Sequence, residues 1–236
     1  ILSGDWNEIC KYIDVESMAK YFVYNEYLKN IDIIWDSTRF YIKDGKLYGG
    51  PAWDYDLSMG NVKKTEKLEG DDNSYTAYWN YTGLGNGTPG DSTTGTWADI
   101  GWLTSAKSDA DYRIWFYALC KYSPEFNELI KETILKYNDS FVGMYEDMYD
   151  EYGDLVSVSL INKILENENI KLSIDNNYTV FGISGVNYTD MWYVENMYSY
   201  NDSVEYLTNW LKGRYEWMMS HYFPDGETTA QSKTNQ

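Results

Sequence analysis

The architecture of this chain follows from residues 14–56, which read DVESMAKYFVYNEYLKN IDIIWDS TRFYIKDGKLYGGPAWDYD. In the first part of this segment, apolar side chains recur at the three- and four-residue spacing of one helix face. The members of this set are Val15, Met18, Ala19, Phe22 and Val23. Asp14 is placed to cap the first turn, and Asn30 lies near the end of the pattern. The pattern predicts an amphipathic helix from Asp14 to Asn30.

Two short runs rich in Tyr, Phe and Leu come next, at residues 38–43 and 46–50. Asp44-Gly45 separates them, and such a pair is typical of a two-residue turn in which both positions need a positive φ angle. The sequence therefore predicts a β-hairpin. Its second strand leads directly towards Asp54 and Asp56.

The chain after residue 109 has the character of a helical region. One apolar stripe consists of Tyr112, Trp115, Phe116 and Leu119. Ser123-Pro124-Glu125 then supplies a cap, a first-turn Pro and a first-turn acid, which together predict the start of another helix. Further helices are predicted over residues 140–149, 157–167, 189–200 and 203–221.

Two segments differ from the rest in composition. Residues 62–108 are rich in Gly, Thr and Asn and lack sustained periodicity, so we expect a long insertion or active-site loop. Residues 225–236 are rich in Thr, Ser and Gln, and we expect a disordered linker or tail that leads to another module. Residues 1–224, including the insertion, are expected to form one domain, because their length allows one substantial core.

The 236 residues carry 37 acidic and 19 basic side chains, which gives a formal net charge of −18. This charge opposes binding to nucleic acid and to anionic membranes, because both are polyanions, and it favours divalent cations as partners. No run approaches the roughly 18 apolar residues of a membrane-spanning helix. Cys10 and Cys120 are too few for a zinc site or a disulfide framework, and we expect two small buried hydrophobes.

Four polar residues follow the first helix in an order that suits phosphoryl transfer: Asp32, Ser37, Asp54 and Asp56. This reaction needs one carboxylate to orient or accept the proton of the attacking hydroxyl, and further oxygen ligands to hold Mg²⁺ against the nucleotide phosphates. Two acids at positions i and i+2 after a strand offer such ligands. On spacing alone, such a pair is more often a solvated turn or a cap.

Three runs of this sequence resemble the signature of the CotH family, the spore coat protein H family of atypical protein kinases. These runs are YNEYLKNID (24–32), STRFY (37–41) and GGPAWDYDLSMGN (49–61). Residues 115–126 are similar to the family's Trp, Leu and Pro-Glu-Phe segment, and residues 210–217, with Arg214, are similar to its final helix. Because the runs keep their order along the chain, the match is more specific than a lone acidic pair.

The resemblance implies a mostly helical carboxyl-terminal lobe of a kinase-like α+β fold with a small catalytic β-hairpin. Asp32 would be the acid of the catalytic loop, and Asp54 would correspond to the metal-binding Asp of the kinase Asp-Phe-Gly motif. Asp56 would be a second metal ligand or would orient the first. Ser37 stands where a kinase has its metal-binding Asn, so it would ligate Mg²⁺ beside the nucleotide or shape the loop.

The same resemblance implies an enzyme that uses ATP and Mg²⁺ or Mn²⁺ to phosphorylate Ser or Thr of protein substrates. These substrates would be secreted, at the cell surface or in the spore coat. Nothing before Asp32 resembles a Gly-rich phosphate loop or the strand Lys that pairs with the nucleotide phosphates. The amino-terminal lobe is therefore expected to be missing from this chain, and its ATP affinity is expected to be poor.

The 25 Tyr and 10 Trp residues leave a second function open. Flat aromatic side chains stack on sugar rings, so the alternative is a non-catalytic pseudokinase or a carbohydrate- or protein-binding module of an extracellular assembly. A glycosidase that uses the acidic pair has less support, because many of the aromatic residues fall on helical stripes. Glu26 either braces the catalytic loop or lies on a solvent-exposed turn. His221 is expected to be an ordinary surface or capping residue.

Overall fold

The computed structural model describes residues 1–30, 37–56, 58–59, 114–181, 200–224 and 226. Within them lie the helices α1 (Trp6–Tyr12), α2 (Val15–Leu28), α3 (Ile114–Tyr122), α4 (Pro124–Lys136), α5 (Asn138–Val142), α6 (Leu160–Glu166), α7 (Glu168–Phe181) and α8 (Tyr200–Tyr222). The strands are β1 (Phe40–Lys43), β2 (Lys46–Gly49), β3 (Met148–Tyr149) and β4 (Leu155–Ser157), which form two antiparallel hairpins. The described part is therefore helix-rich and of the α+β class.

Helix α2 begins where its sequence predicts, with Asp14 as the cap, and ends at Leu28, two residues before the predicted Asn30. The Asp14 side chain accepts a hydrogen bond from the backbone N–H of Ser17 at 2.9 Å, a cap that contributes about 1 kcal/mol. The helix ends where Lys29 takes a left-handed conformation, with φ 48° and ψ 51°. Its buried side chains occupy more than one face, because α4, α8 and the first hairpin all pack against it.

The core forms where α2 crosses α4 and α8. The ring of Phe22 lies between Phe116, at 5.5 Å, and Phe126, at 6.1 Å, and both pairs meet edge to face. Phe126, Ile130 and Ile134 recur every fourth residue of α4, so one stripe of that helix is buried. From α8, the buried apolar side chains are Trp210, Leu211 and Met218.

The first hairpin confirms the predicted turn. Phe40 pairs with Gly49 and Lys43 with Lys46, which leaves Asp44 and Gly45 as the two turn residues, with φ angles of 50° and 76°. The hairpin lies directly on α2. A Cβ atom at Gly49 would stand 2.6 Å from Cβ of Tyr21, so only glycine allows this close approach. The exit of β2 is fixed next to the middle of α2.

The helix predicted over residues 140–149 is wrong beyond Val142. Gly143 ends α5, and β3 begins at Met148. Asp147 accepts hydrogen bonds from the N–H of Ser159 and from Nδ2 of Asn162, and these bonds favour a turn over a continued helix. The helix predicted over residues 157–167 begins at Leu160, because Ser159 is its cap.

Other predictions have mixed outcomes. Helix α8 confirms the one predicted over residues 203–221, whereas the sequence patterns did not predict α1, α7 or the second hairpin. Cys10 and Cys120 are free thiols, and both are half-buried rather than fully buried as expected. The insertion 62–108, the helix 189–200 apart from Tyr200, and the tail 225–236 apart from Gly226 lie outside the described residues.

The helices of the described residues are too short or too polar to cross a bilayer.

Candidate functional site

The loop that leaves β2 contains two residues in an uncommon backbone conformation. Asp54 has a φ angle of 58° and Met59 one of 52°, in the left-handed region. Aspartate tolerates this region better than most residues, whereas methionine seldom occupies it. The N–H of Met59 donates to the carbonyl oxygen of Leu28 at 2.7 Å. The last turn of α2 therefore fixes the far end of the loop.

Two asparagines near the end of α2 hold the middle of the same loop. Nδ2 of Asn30 donates to the backbone carbonyl of Asp54 at 2.8 Å. The hydroxyl of Tyr55 donates to Oδ1 of Asn25 at 2.6 Å, and Nδ2 of Asn25 donates in turn to the carbonyl of Tyr21. Both asparagines are fully buried. The loop is thus bound through its backbone and Tyr55, and the carboxylate of Asp54 remains exposed.

The carboxylates of Asp54 and Asp56 lie within hydrogen-bonding range of each other. The hydrogen bond from this neighbour and its negative charge raise the pKa of Asp54, and the positive charge of Arg39 opposes part of that rise. Two crowded carboxylates repel each other when both are ionised, and a divalent cation relieves this repulsion. The oxygen donors fit the hard cations Mg²⁺ and Mn²⁺.

Arg39 and Trp53 stand beside this pair. The guanidinium carbon of Arg39 lies 5.3 Å from the ring centre of Trp53, and the Trp53 side chain is 54% exposed. The N–H of Arg39 donates to the hydroxyl of Tyr21 at 3.1 Å, which ties the start of β1 to α2. A flat aromatic surface and a cation therefore accompany the two acids.

Within the described part of the chain, the structure brings together only two of the four site residues that the sequence predicts. Asp54 and Asp56 come together, Ser37 is buried, and Asp32 lies outside the described residues. Among the described residues, no three acidic, histidine or cysteine side chains meet in one cluster. The functional roles of all four residues stay predictions. Asn25 and Asn30 both belong to the run 24–32 that resembles the CotH signature, but the sequence patterns assign neither residue a role in holding the loop, because spacing along the chain does not reveal such long-range contacts.

Glu26 is buried, which excludes its expected alternative position on a solvent-exposed turn. Nη2 of Arg214 donates to Oε1 of Glu26 at 2.8 Å and to its backbone carbonyl at 2.7 Å, and Nε donates to the same carbonyl at 3.0 Å. Glu26 is 1% exposed and Arg214 is 0% exposed. The guanidinium lies 4.0 Å from the ring centre of Trp217, which itself stacks on His221.

A groove of about 700 Å³ runs along α2 on the hairpin side and reaches residues 50–52. Asp54 and Asp56 do not line it. Most of its aromatic lining consists of six tyrosines: Tyr21, Tyr24, Tyr27, Tyr41, Tyr48 and Tyr137. Tyr41 and Tyr48 stack on each other across the hairpin, with ring centres 5.1 Å apart. This volume lies within the range of ligand-binding clefts.

Comparison with protein families gives one match, to the family described as CotH kinase protein, over residues 3–218. The matched span covers most of the chain and extends from before α1 into α8. Comparison with curated proteins gives no match. Comparison with solved structures gives no match either.

Proposed function

This chain belongs to the CotH kinase family, and from that premise we propose that it transfers the terminal phosphoryl group of ATP to Ser or Thr of a protein substrate. The reaction depends on Mg²⁺ or Mn²⁺. The observation that supports this proposal most directly is the exposed pair of Asp54 and Asp56, whose carboxylates crowd each other on a loop that α2 holds.

The proposed roles follow from the chemistry of the side chains. Asp54 and Asp56 would hold the divalent ion, which when bound would neutralise charge on the phosphates of ATP. Asp32 accepts the proton of the acceptor hydroxyl as its oxygen bonds to the γ-phosphorus. The bond between that phosphorus and the bridging oxygen breaks, and ADP leaves. Ser37 ligates the ion or shapes the loop between Asp32 and the hairpin.

The setting of the reaction is also part of the proposal. The family is associated with the spore coat, so we place the substrates among secreted, cell-surface or coat proteins. We also propose that residues 1–224 belong to one CotH-like kinase domain, as its carboxyl-terminal portion, with 62–108 as an insertion and 225–236 as a linker or tail.

The first test is a calorimetric titration of the protein with Mn²⁺, with and without ATP. Asp54→Asn removes one ligand charge with little change in volume, and Glu132→Gln does the same on the exposed surface of α4. We expect Asp54→Asn to weaken Mn²⁺ binding by at least about 100-fold, since loss of an outer-sphere partner alone costs 10- to 100-fold. Glu132→Gln should bind like the wild type.

Equal Mn²⁺ affinity in all three proteins would contradict the proposal, because the acidic pair would then not be the metal site. A wild-type protein that binds Mn²⁺ only when ATP is present would support a kinase site most strongly. In that case the nucleotide phosphates complete the coordination of the ion.

The tyrosine-lined groove favours a second candidate function, a non-catalytic module that binds a carbohydrate or a protein. Tyrosine supplies a large amphipathic contact surface at low entropic cost, and it is common at binding surfaces. Asp54 and Asp56 do not line the groove, so this function would not need Asp54. Retention of Asp54→Asn on an insoluble polysaccharide, together with absence of metal binding by the wild type, would favour this alternative.

A further inference from the structure

The last turn of α2 is closed by groups from distant parts of the chain. A helix leaves its final backbone carbonyls without helical partners. In α2 the carbonyl of Asn25 accepts from the N–H of Lys29, that of Leu28 accepts from Met59, and that of Glu26 accepts from Nε and Nη2 of Arg214. Arg214 thus acts as a cap from another helix, and its positive charge lies at the negative end of the α2 dipole.

The cost of burying this arginine suggests a role beyond stability. A buried ion pair loses the hydration of both charges, and replacement by apolar side chains of similar volume is often neutral or stabilising. Apolar side chains, however, cannot donate to the carbonyl of Glu26. What Arg214 adds is a fixed position for the end of α2, through two bonds to this carbonyl and one to the carboxylate.

The residues next to Glu26 are those that hold the acidic loop. Asn25 accepts from Tyr55, Leu28 accepts from Met59, and Asn30 donates to the carbonyl of Asp54. The donor–acceptor distances of these three hydrogen bonds are 2.6 to 2.8 Å. Their partners on the α2 side all lie within residues 25–30. A shift of this helix end would therefore move the loop at both its middle and its far end.

We propose that Arg214 is a positioning residue for the loop that carries Asp54 and Asp56. It acts through Glu26 and the end of α2. The consequence for metal binding rests on the proposed function. The consequence for the order of the loop is independent of that function. The experiment therefore measures loop order and metal affinity separately.

The experiment compares Arg214→Lys with Tyr215→Phe. Lysine keeps the charge but cannot donate from two nitrogens in the planar geometry of the guanidinium. Tyr215 lies on the same helix, and Tyr215→Phe removes a hydrogen bond of 2.7 Å from its hydroxyl to Oδ1 of Asn138 at the start of α5. Neither residue makes any of the three contacts that hold the loop. This variant serves as a control for a general loss of stability in α8.

The first readout is hydrogen exchange of peptides that cover residues 50–59, measured by mass spectrometry. We expect Arg214→Lys to increase exchange in this segment by about tenfold, which corresponds to about 1.4 kcal/mol of lost protection. The second readout is Mn²⁺ affinity in the presence of ATP, which we expect to fall by about 10- to 100-fold. Tyr215→Phe should lower the denaturation midpoint and leave both readouts unchanged.

Glu26→Gln keeps the backbone acceptor and neutralises only the carboxylate, so it should raise loop exchange by less than Arg214→Lys. It also serves as the test if Arg214→Lys does not fold. Loop exchange at the wild-type level in the variants that fold would overturn the inference. Increased loop exchange in a protein whose wild type binds no Mn²⁺ would support Arg214 as a positioning residue and contradict the proposed kinase function.

Discussion

Asp54 and Asp147 both lie in loops that follow or precede a hairpin strand, yet their electrostatic surroundings are opposite. Asp147 accepts hydrogen bonds from the N–H of Ser159 at 2.7 Å and from Nδ2 of Asn162 at 2.9 Å. These donors hold its pKa below the ordinary range. Asp54 instead faces Asp56, and the hydrogen bond and charge of that neighbour raise its pKa.

The difference distinguishes an acid used by the fold from an acid suited to a ligand. At Asp147 the carboxylate itself organises the loop before α6. At Asp54 the loop is organised by the backbone carbonyl, which accepts from Asn30, and by the hydroxyl of Tyr55. The contacts that hold this loop to α2 therefore use its backbone and Tyr55 and not the carboxylate of Asp54.

The largest effect that would test this comparison is expected from Asn30→Ala. The change removes the amide that holds the backbone of Asp54, and we expect Mn²⁺ affinity to fall by about 10- to 100-fold. Asn127→Ala is the matched control, because Nδ2 of Asn127 also donates to a backbone carbonyl, that of Cys120, at 2.8 Å. Calorimetry measures the Mn²⁺ affinity of both variants, and Asn127→Ala should bind like the wild type. Unchanged affinity in Asn30→Ala would contradict the proposed link between loop geometry and metal binding.

A smaller effect, on stability alone, is expected from Asp147→Asn. The variant loses the charge that two donors satisfy, so its free energy of unfolding should decrease while Mn²⁺ affinity stays at the wild-type level. Urea denaturation monitored by tryptophan fluorescence measures the first quantity, and calorimetry measures the second. If Asp147→Asn also weakened metal binding, the two aspartates would not divide into a structural and a ligand-binding acid.

The smallest expected effect is the pH dependence of the free energy of unfolding in Asp147→Asn and Asp54→Asn. The folded pKa of Asp147 lies below the ordinary value of 3.8, so its stabilising contribution is present above that value and disappears as the pH falls through the folded pKa. The folded pKa of Asp54 lies above 3.8, so Asp54 destabilises the fold at neutral pH, and this cost disappears as the pH falls through its own folded pKa.

Relative to the wild type, Asp147→Asn should therefore be less stable at pH 7 and equally stable in strong acid. Asp54→Asn should be slightly more stable at pH 7, and its advantage should vanish at a higher pH than the deficit of Asp147→Asn. Urea unfolding of the three proteins across the acid range measures both differences. If both variants were less stable than the wild type at pH 7, or both more stable, the opposite electrostatic environments of the two aspartates would be contradicted.

The parts of the fold that the sequence predicted depend on neighbours along the chain. Asp14 caps α2 through a contact three residues away, and the pair Asp44-Gly45 forms a turn by its own conformational preference. The same reasoning placed Asp54 and Asp56 together, because they are two residues apart at a strand exit. Pro124 and Glu125 likewise stand in the first turn of α4 as predicted, whereas Ser123 occupies the cap position without a side-chain capping hydrogen bond.

The parts that were missed depend on contacts across the chain. Gly143 and the bonds of Asp147 end α5 early, although the apolar pattern continued as a helix. The contact between Glu26 and Arg214 spans 188 residues, and no spacing rule connects such positions. An Asn at a helix end, such as Asn30, is usually a stop signal, and only the fold shows that it holds the backbone of Asp54.

The contact between Glu26 and Arg214 has a consequence for the order in which the protein matures during synthesis. The acids at 54 and 56 leave the ribosome about 158 residues before Arg214, a delay on the order of 10 s at usual elongation rates. During this interval the nascent chain has the acids but lacks the arginine that closes their supporting helix. A contact of such high sequence separation also forms slowly. Under the proposed function, Mn²⁺ binding would reach full strength only after α8 is complete, so it would report that Arg214 has docked on the end of α2.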